Sequence, residues 1–172
     1  SKPAFSDHLM GGEFSYKCLG GSNYEVSLII YRNCNSTNNN LDIESFITVF
    51  DKNTGGFIST FTIPQLSSTR IPLPPSTPCF QAPPVCVDKL LYRGNTTLNV
   101  PPNGIRLVYQ RCCRNPGISN VPNAGSFGST YELTIPPAST AACNSSPSFD
   151  NTAPNFICVN QESILDFSAT DP

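Results

Sequence analysis

Eight cysteines with no Cys-X-X-Cys pair among them constrain this 172-residue chain more than any other feature. They stand at Cys18, Cys34, Cys79, Cys86, Cys112, Cys113, Cys143 and Cys158, with separations from adjacent to dozens of residues. A structural metal site is built from close cysteine pairs, because one tight turn has to aim two thiolates at one ion. An even count at scattered spacing reads instead as an oxidised framework, which forms and persists outside the cytoplasm. The single histidine, His8, offers no mixed Cys/His site, so no metal or other cofactor is expected at the cysteines.

The length suits one ordinary domain, or one domain and the opening of another. It is enough to bury a core, so bridges supplement packing rather than replace it. Charged residues make up 13% of the chain and the net charge is −2. The usual charged share is about 25%. Without a basic patch there is no footprint for nucleic acid or anionic lipid. Polarity is carried by Asn, Ser and Thr, which suit an extracellular surface. Asn35-Ser36-Thr37, Asn95-Thr96-Thr97 and Asn144-Ser145-Ser146 match the N-glycosylation acceptor pattern. No apolar run nears the roughly 18 residues of a membrane span. The polar opening at Ser1 reads as a mature secreted chain whose leader has been removed.

Seventeen prolines and eleven glycines interrupt the sequence, and no stretch keeps a helical period. Short alternation at period two recurs instead, the pattern of half-buried strands. Gly11–Leu19, Tyr24–Tyr31, Phe46–Phe50, Phe57–Ile63, Val85–Tyr92, Thr96–Val100, Ile105–Arg111 and Tyr131–Ile135 are the expected strands. Asp51-Lys52-Asn53-Thr54-Gly55-Gly56 supplies the reversal of a hairpin between Phe46 and Ile63, because Asn and Gly accept positive φ. Asn33–Asn40 and Asn115–Ser129 read as exposed loops. The fold expected is all-β, a disulfide-stabilised antiparallel β-sandwich of immunoglobulin-like kind.

Composition shifts near Ser145. Residues 1–10 are expected as an N-terminal arm and 11–150 as the β-sandwich. Residues 151–172, with extended runs at Thr152–Val159 and Ser163–Ala169, read as a linker and the first strands of a following domain, or as a strand completing the first.

Bridge partners are open in principle, since eight cysteines allow 105 pairings. Strand neighbours point to opposite faces, so Cys112 and Cys113 are expected to reach different partners rather than each other. Cys79 with Cys86 closes a local loop, Cys18 with Cys34 spans a hairpin, and Cys143 and Cys158 are left for Cys112 and Cys113. A redox-active pair would need an exposed thiolate of low pKa, and the expectation is a structural framework instead. Arg111 and Arg114 bracket the double cysteine, either as an anion contact or as strand-end ion pairs of little energetic weight.

No catalytic residues are assigned. His8 alone serves no triad, there is no GxSxG, HExxH or phosphate-binding glycine loop, and the acidic residues stand singly. The tyrosines at 16, 24, 31, 92, 109 and 131 fall on strands, as core residues with the hydroxyl at the rim rather than as sugar platforms. Asp166 and Asp171 are the only calcium candidates, at the junction before a following domain, against the plainer reading of turn-forming aspartates.

Three stretches together carry a resemblance: Met10–Gly20 with Tyr24–Leu28 and Tyr31-Arg32-Asn33-Cys34; Leu107–Asn115, which contains Arg111-Cys112-Cys113-Arg114; and Cys143–Pro147 with Phe156–Asn160 and Phe167–Pro172. The chain resembles the N-terminal region of very large secreted surface proteins of gliding and related Bacteroidota, which often end in a gliding-motility-associated or type IX secretion C-terminal domain. The resemblance implies export, surface display and adhesion or surface assembly, with no catalytic residues and no defined ligand. In similar chains the Ala-Thr-Asp-Pro ending continues into an Asp-Gly-Asp stretch like the calcium turn of cadherin-like repeats.

Two functions are therefore expected. One is a non-catalytic extracellular module, the exposed part of an adhesin-like protein that contacts a surface, glycan or protein ligand through the Asn33–Asn40 and Asn115–Ser129 loops. The other is a structural subunit of an extracellular filament or tube, self-associating by strand addition through residues 1–9 or 152–172.

Overall fold

The computed structural model describes residues 9–35, 42–73, 76, 85–149, 160 and 162–172. The chain is all-β and antiparallel. Its seven principal strands are β1 (Leu9–Gly20), β2 (Asn23–Asn33), β3 (Glu44–Asp51), β4 (Phe57–Arg70), β5 (Val87–Thr97), β6 (Ile105–Arg111) and β7 (Ser129–Ile135). They form one sheet in the order β1-β2-β5-β4-β3-β6-β7. Two short strands, β8 (Ser148–Phe149) and β9 (Ala169–Thr170), pair separately.

The expected hairpin forms as read. Asp51 Oδ1 accepts from the backbone N–H of Asn53 (3.0 Å) and Thr54 (2.8 Å), and Gly55 takes φ 70°. Those bonds hold the Asp51 carboxyl below the usual carboxylate range. Two strands are longer than their patterns suggested. β4 runs seven residues past Ile63 and β5 continues without a break through Thr97, so Thr96–Val100 is not a separate strand.

β4 explains how one sheet encloses a core. Glu44 to Phe50 of β3 pair with β4 from Pro64 back to Phe57, whereas β5 pairs with β4 only from Gln65 to Arg70. The strand changes neighbours at Pro64, which has no N–H to give, and a bulge between Gln65 and Ser67 marks the corner. The sheet therefore curls, and its two halves face each other. Val26, Leu28 and Ile30 of β2 and Leu90 and Tyr92 of β5 meet Ile47 and Val49 of β3, Leu107 and Tyr109 of β6 and Ile135 of β7 in one buried cluster. β1 closes against β7, where Gly12 lies so near Tyr131 that a Cβ there would stand 2.8 Å from the ring.

β1 begins at Leu9, inside the expected N-terminal arm, and Leu9 is buried. Its N–H donates to Cys113 O (3.2 Å) and its carbonyl accepts from Asn115 N–H (2.8 Å), which ties the first strand to the turn after β6. The outer edge of β1 is covered too. Ser146 N–H donates to Tyr16 O (2.9 Å), and the Ser145 and Ser146 hydroxyls accept from the N–H groups of Cys18 (3.1 Å) and Tyr16 (3.0 Å).

The bridges depart from the expected pairing. Cys18 joins Cys143 (Cα–Cα 5.4 Å) and Cys34 joins Cys86 (5.3 Å). Cys18 sits opposite Tyr24 near the β1–β2 turn. Cys34 lies ten residues farther along, about 33 Å at strand rise, so a Cys18–Cys34 bridge is out of reach. Asn33 pairs instead with Val87, and the next step brings Cys34 beside Cys86, whose carbonyl accepts its N–H (3.1 Å). Cys86 is therefore not bridged to Cys79, nor Cys143 to the double cysteine. Cys112 and Cys113 bond to each other, across a cis peptide. The expectation that they face apart assumed a strand, but β6 ends at Arg111 and the pair occupies the bend beyond it. Cys79 and Cys158 lie outside the described residues, as do His8, residues 36–40 of the first loop and the run 152–159. Of the expected strand at 163–169 only Ala169 is in strand form.

Candidate functional site

Among the residues singled out from sequence, Cys112 of the double cysteine and Arg111 stand together at a surface concavity. β6 and β7 run side by side, with Gln110 opposite Thr130 and Arg111 opposite Ser129. The bend after β6 then turns Cys112 outward. A cavity of about 360 Å³ opens there, lined by Gln110, Arg111, Cys112, Gly128, Ser129 and Thr130. Cys112 is exposed, whereas Cys113 is only 1% exposed. Gln110 donates to the Thr130 hydroxyl (3.3 Å) across the strands.

The flanking arginines take the plainer of their two expected roles. Arg111 pairs with Asp42, and burial lowers the pKa of its guanidinium. Arg114 donates to Gly128 O (3.0 Å), and its N–H donates to Phe127 O (2.8 Å). The loop expected at Asn115–Ser129 is thus pinned at its base. Asn115, buried, accepts from Gly117 N–H (2.9 Å), and a 3-10 turn spans Ala124–Ser126.

A second concavity, of about 340 Å³, lies on the outer face where β1 begins and β2 ends. Met10, Gly11, Tyr31, Ile71, Leu73, Val85 and Val87 line it, and sequence reading did not single it out. Part of the signal was present: Leu28-Ile29-Ile30-Tyr31 breaks the alternation and leaves apolar groups on both faces of the strand, of which Tyr31 lines the concavity. At its rim Tyr31 donates to Glu13 Oε1 (2.6 Å). Burial, then the Glu13 hydrogen bond and charge, push the Tyr31 phenol up to about 12.

The tyrosines otherwise go where expected, with Tyr16, Tyr24, Tyr92 and Tyr109 buried. Tyr92 donates to Asp42 O (3.0 Å). Asp88 is the one buried acidic side chain among the described residues. Arg70 Nε (2.7 Å) and Arg32 Nη2 (3.3 Å) hold its two oxygens. Burial raises the Asp88 pKa, but the bonds and charges of Arg70 and Arg32 outweigh that and leave it depressed. Such a carboxylate is locked in an ion pair and has no freedom to move a proton.

Of the glycosylation patterns, Asn144 is engaged within the fold, donating from Nδ2 to the Tyr16 hydroxyl (2.6 Å), while Asn95 is exposed on β5. Asp166 accepts from Ser168 N–H (2.9 Å), Asp171 lies close enough to Tyr16 to raise its phenol, a lesser cause beside burial, and no group of three potential ligands gathers among the described residues. No helix of the described residues is long and apolar enough to cross a membrane. Comparison with protein-family models, with curated proteins and with solved structures finds no match.

Proposed function

We propose that the chain is a non-catalytic extracellular surface module, the N-terminal part of an adhesin-like secreted protein that attaches cells to a surface or serves gliding-related contacts. The observation that carries this reading is the oxidised state of the framework: every described cysteine is in a disulfide, and two of the bridges tie remote parts of the sheet. Such bridges belong to an oxidising compartment. The resemblance to secreted surface proteins of gliding Bacteroidota supports the same placement. A polar surface of low charge and an apolar concavity beside Tyr31 offer contact area for a glycan or protein rather than for nucleic acid.

The test is made on the producing cells. External protease, added to intact cells, should remove the chain, and soluble purified chain should compete with cell attachment. Recovery of the chain from the cytoplasm with its thiols reduced overturns the reading. Surface exposure with no effect on attachment shifts it to the filament or tube subunit, which electron microscopy of the purified protein then reveals as fibres.

A further inference from the structure

The three described bridges differ in a way that bears on chemistry. The partners of Cys18–Cys143 and Cys34–Cys86 stand 125 and 52 residues apart in sequence, whereas Cys112 and Cys113 are adjacent. A disulfide stabilises chiefly by restricting the unfolded chain, more so as the loop lengthens. The adjacent pair restricts almost nothing, so it is dispensable to the fold in a way the other two are not. It is nevertheless placed with care. Its first sulfur belongs to an exposed residue at a 360 Å³ opening, its second to a buried one, and a guanidinium-bearing residue stands on each side.

The geometry points to Cys112–Cys113 as a thiol–disulfide exchange site whose co-reactant is a thiol or dithiol. An incoming thiolate attacks Cys112 Sγ, the S–S bond breaks, and a mixed disulfide forms on Cys112 while Cys113 leaves as the thiolate. With a dithiol, its second thiolate attacks the mixed disulfide, releasing Cys112 as well. Two electrons pass to the protein, the dithiol leaves as its cyclic disulfide, and two protons complete the Cys112 and Cys113 thiols. Access decides the direction of attack, since the opening lies over Cys112. Exchange there also has a structural readout. Cys113 O accepts the N–H of Leu9 and Arg114 N–H donates to Phe127 O, so the start of β1 and the base of the 115–129 loop hang on the same turn. This inference does not depend on the proposed attachment role.

The test uses the native 172-residue chain, titrated with dithiothreitol without denaturant, alkylated and mapped by peptide mass. Cys112 and Cys113 should be alkylated first, at least about tenfold ahead of Cys18, Cys34, Cys86 and Cys143. The circular dichroism spectrum should be unchanged, while amide exchange rises at Leu9 and Arg114. Glutathione in place of dithiothreitol should add one glutathione, on Cys112. Two single variants check the polarity: Cys113→Ala should leave a thiol that alkylates fast, and Cys112→Ala one that alkylates slowly. Opening of either long-range bridge before the adjacent pair, loss of the fold when the pair opens, or capture of glutathione on Cys113 overturns the proposal.

Discussion

Replacing Cys18 and Cys143 together by alanine removes the longest-range described bridge and leaves its native surroundings nearly intact. Ser145 and Ser146 still accept from β1, and Asn144 still donates to Tyr16. The cost therefore falls on the unfolded chain. For a closed loop of 125 residues the loop-closure relation gives about 5 kcal/mol. With Cys34–Cys86 intact the loop is shortened to about 73 residues, for about 4.4 kcal/mol. The same relation gives about 4 kcal/mol for Cys34–Cys86 alone and close to nothing for adjacent residues.

Guanidinium unfolding of the oxidised protein measures this. With a slope of about 4 kcal/mol/M, ordinary for a domain of this size, the midpoint should fall by about 1 M. The slope itself should rise, because an unfolded chain freed of its longest tie exposes more surface. A Cys112→Ala/Cys113→Ala protein should lose far less, limited to the packing of the buried Cys113 side chain. A loss below about 1 kcal/mol for the long bridge with an unchanged slope, or an equal loss for the adjacent pair, would refute the chain-entropy reasoning.

Asp88→Asn leaves Arg32, whose side chain is 9% exposed, without its counter-charge, and thermal or denaturant unfolding should show a loss of about 3–5 kcal/mol. Arg70→Ala should cost under about 1 kcal/mol, since Arg70 is 61% exposed and solvent screens its half of the pair. The Asp88 carboxyl is depressed in the folded state, so its contribution is present above the unfolded carboxylate value near 3.9 and is lost as pH falls through the lower folded value. A wild-type stability that does not decline below about pH 4 relative to Asp88→Asn counts against the assignment. Gly12→Ala places a methyl 2.6 Å from Ile29 O and 2.8 Å from the Tyr131 ring, and should cost about 2 kcal/mol or more by forcing β1 off β2 and β7. Ultraviolet titration should find Tyr31 ionising at about 12. Glu13→Gln should lower that value, burial keeping it above the ordinary phenol.

Alternation carried the fold a long way. β2 buries the face its pattern predicts, Tyr24, Val26, Leu28 and Ile30, and the Asp51–Gly56 turn closes the hairpin read from its residues. What alternation could not convey is where a strand ends and whom it meets. β4 reads as a seven-residue strand because its far end, Ser67–Arg70, is exposed and polar, and pairing with β5, with Arg70 bonded to Asp88, keeps it extended. Bridge partners follow from strand order, which period-two patterning leaves undetermined: Cys34 meets Cys86 because β2 pairs with β5, its neighbour in the sheet but three strands on in sequence. The cavity beside Tyr31 was legible only as a local failure of alternation. The double cysteine stood out plainly, yet its mutual bond depended on β6 stopping one residue before it.

The positions of the three described bridges divide labour along the sheet. Cys18–Cys143 fastens the segment that covers the outer edge of β1, and Cys34–Cys86 fastens β2 to β5 at the opposite end of the same strand pair. Between them they hold the two ends of the half-sheet at which loops leave the core, the places where fraying would begin. An exposed sheet edge invites pairing with other chains, so covering β1 also limits association through that strand. The Cys112–Cys113 bond does neither task. It crosses no strand boundary and closes no loop, while one of its residues faces an opening to solvent. Cys143 is exposed as well, so what sets the proposed exchange site apart from the two clamps is that opening it releases no long loop.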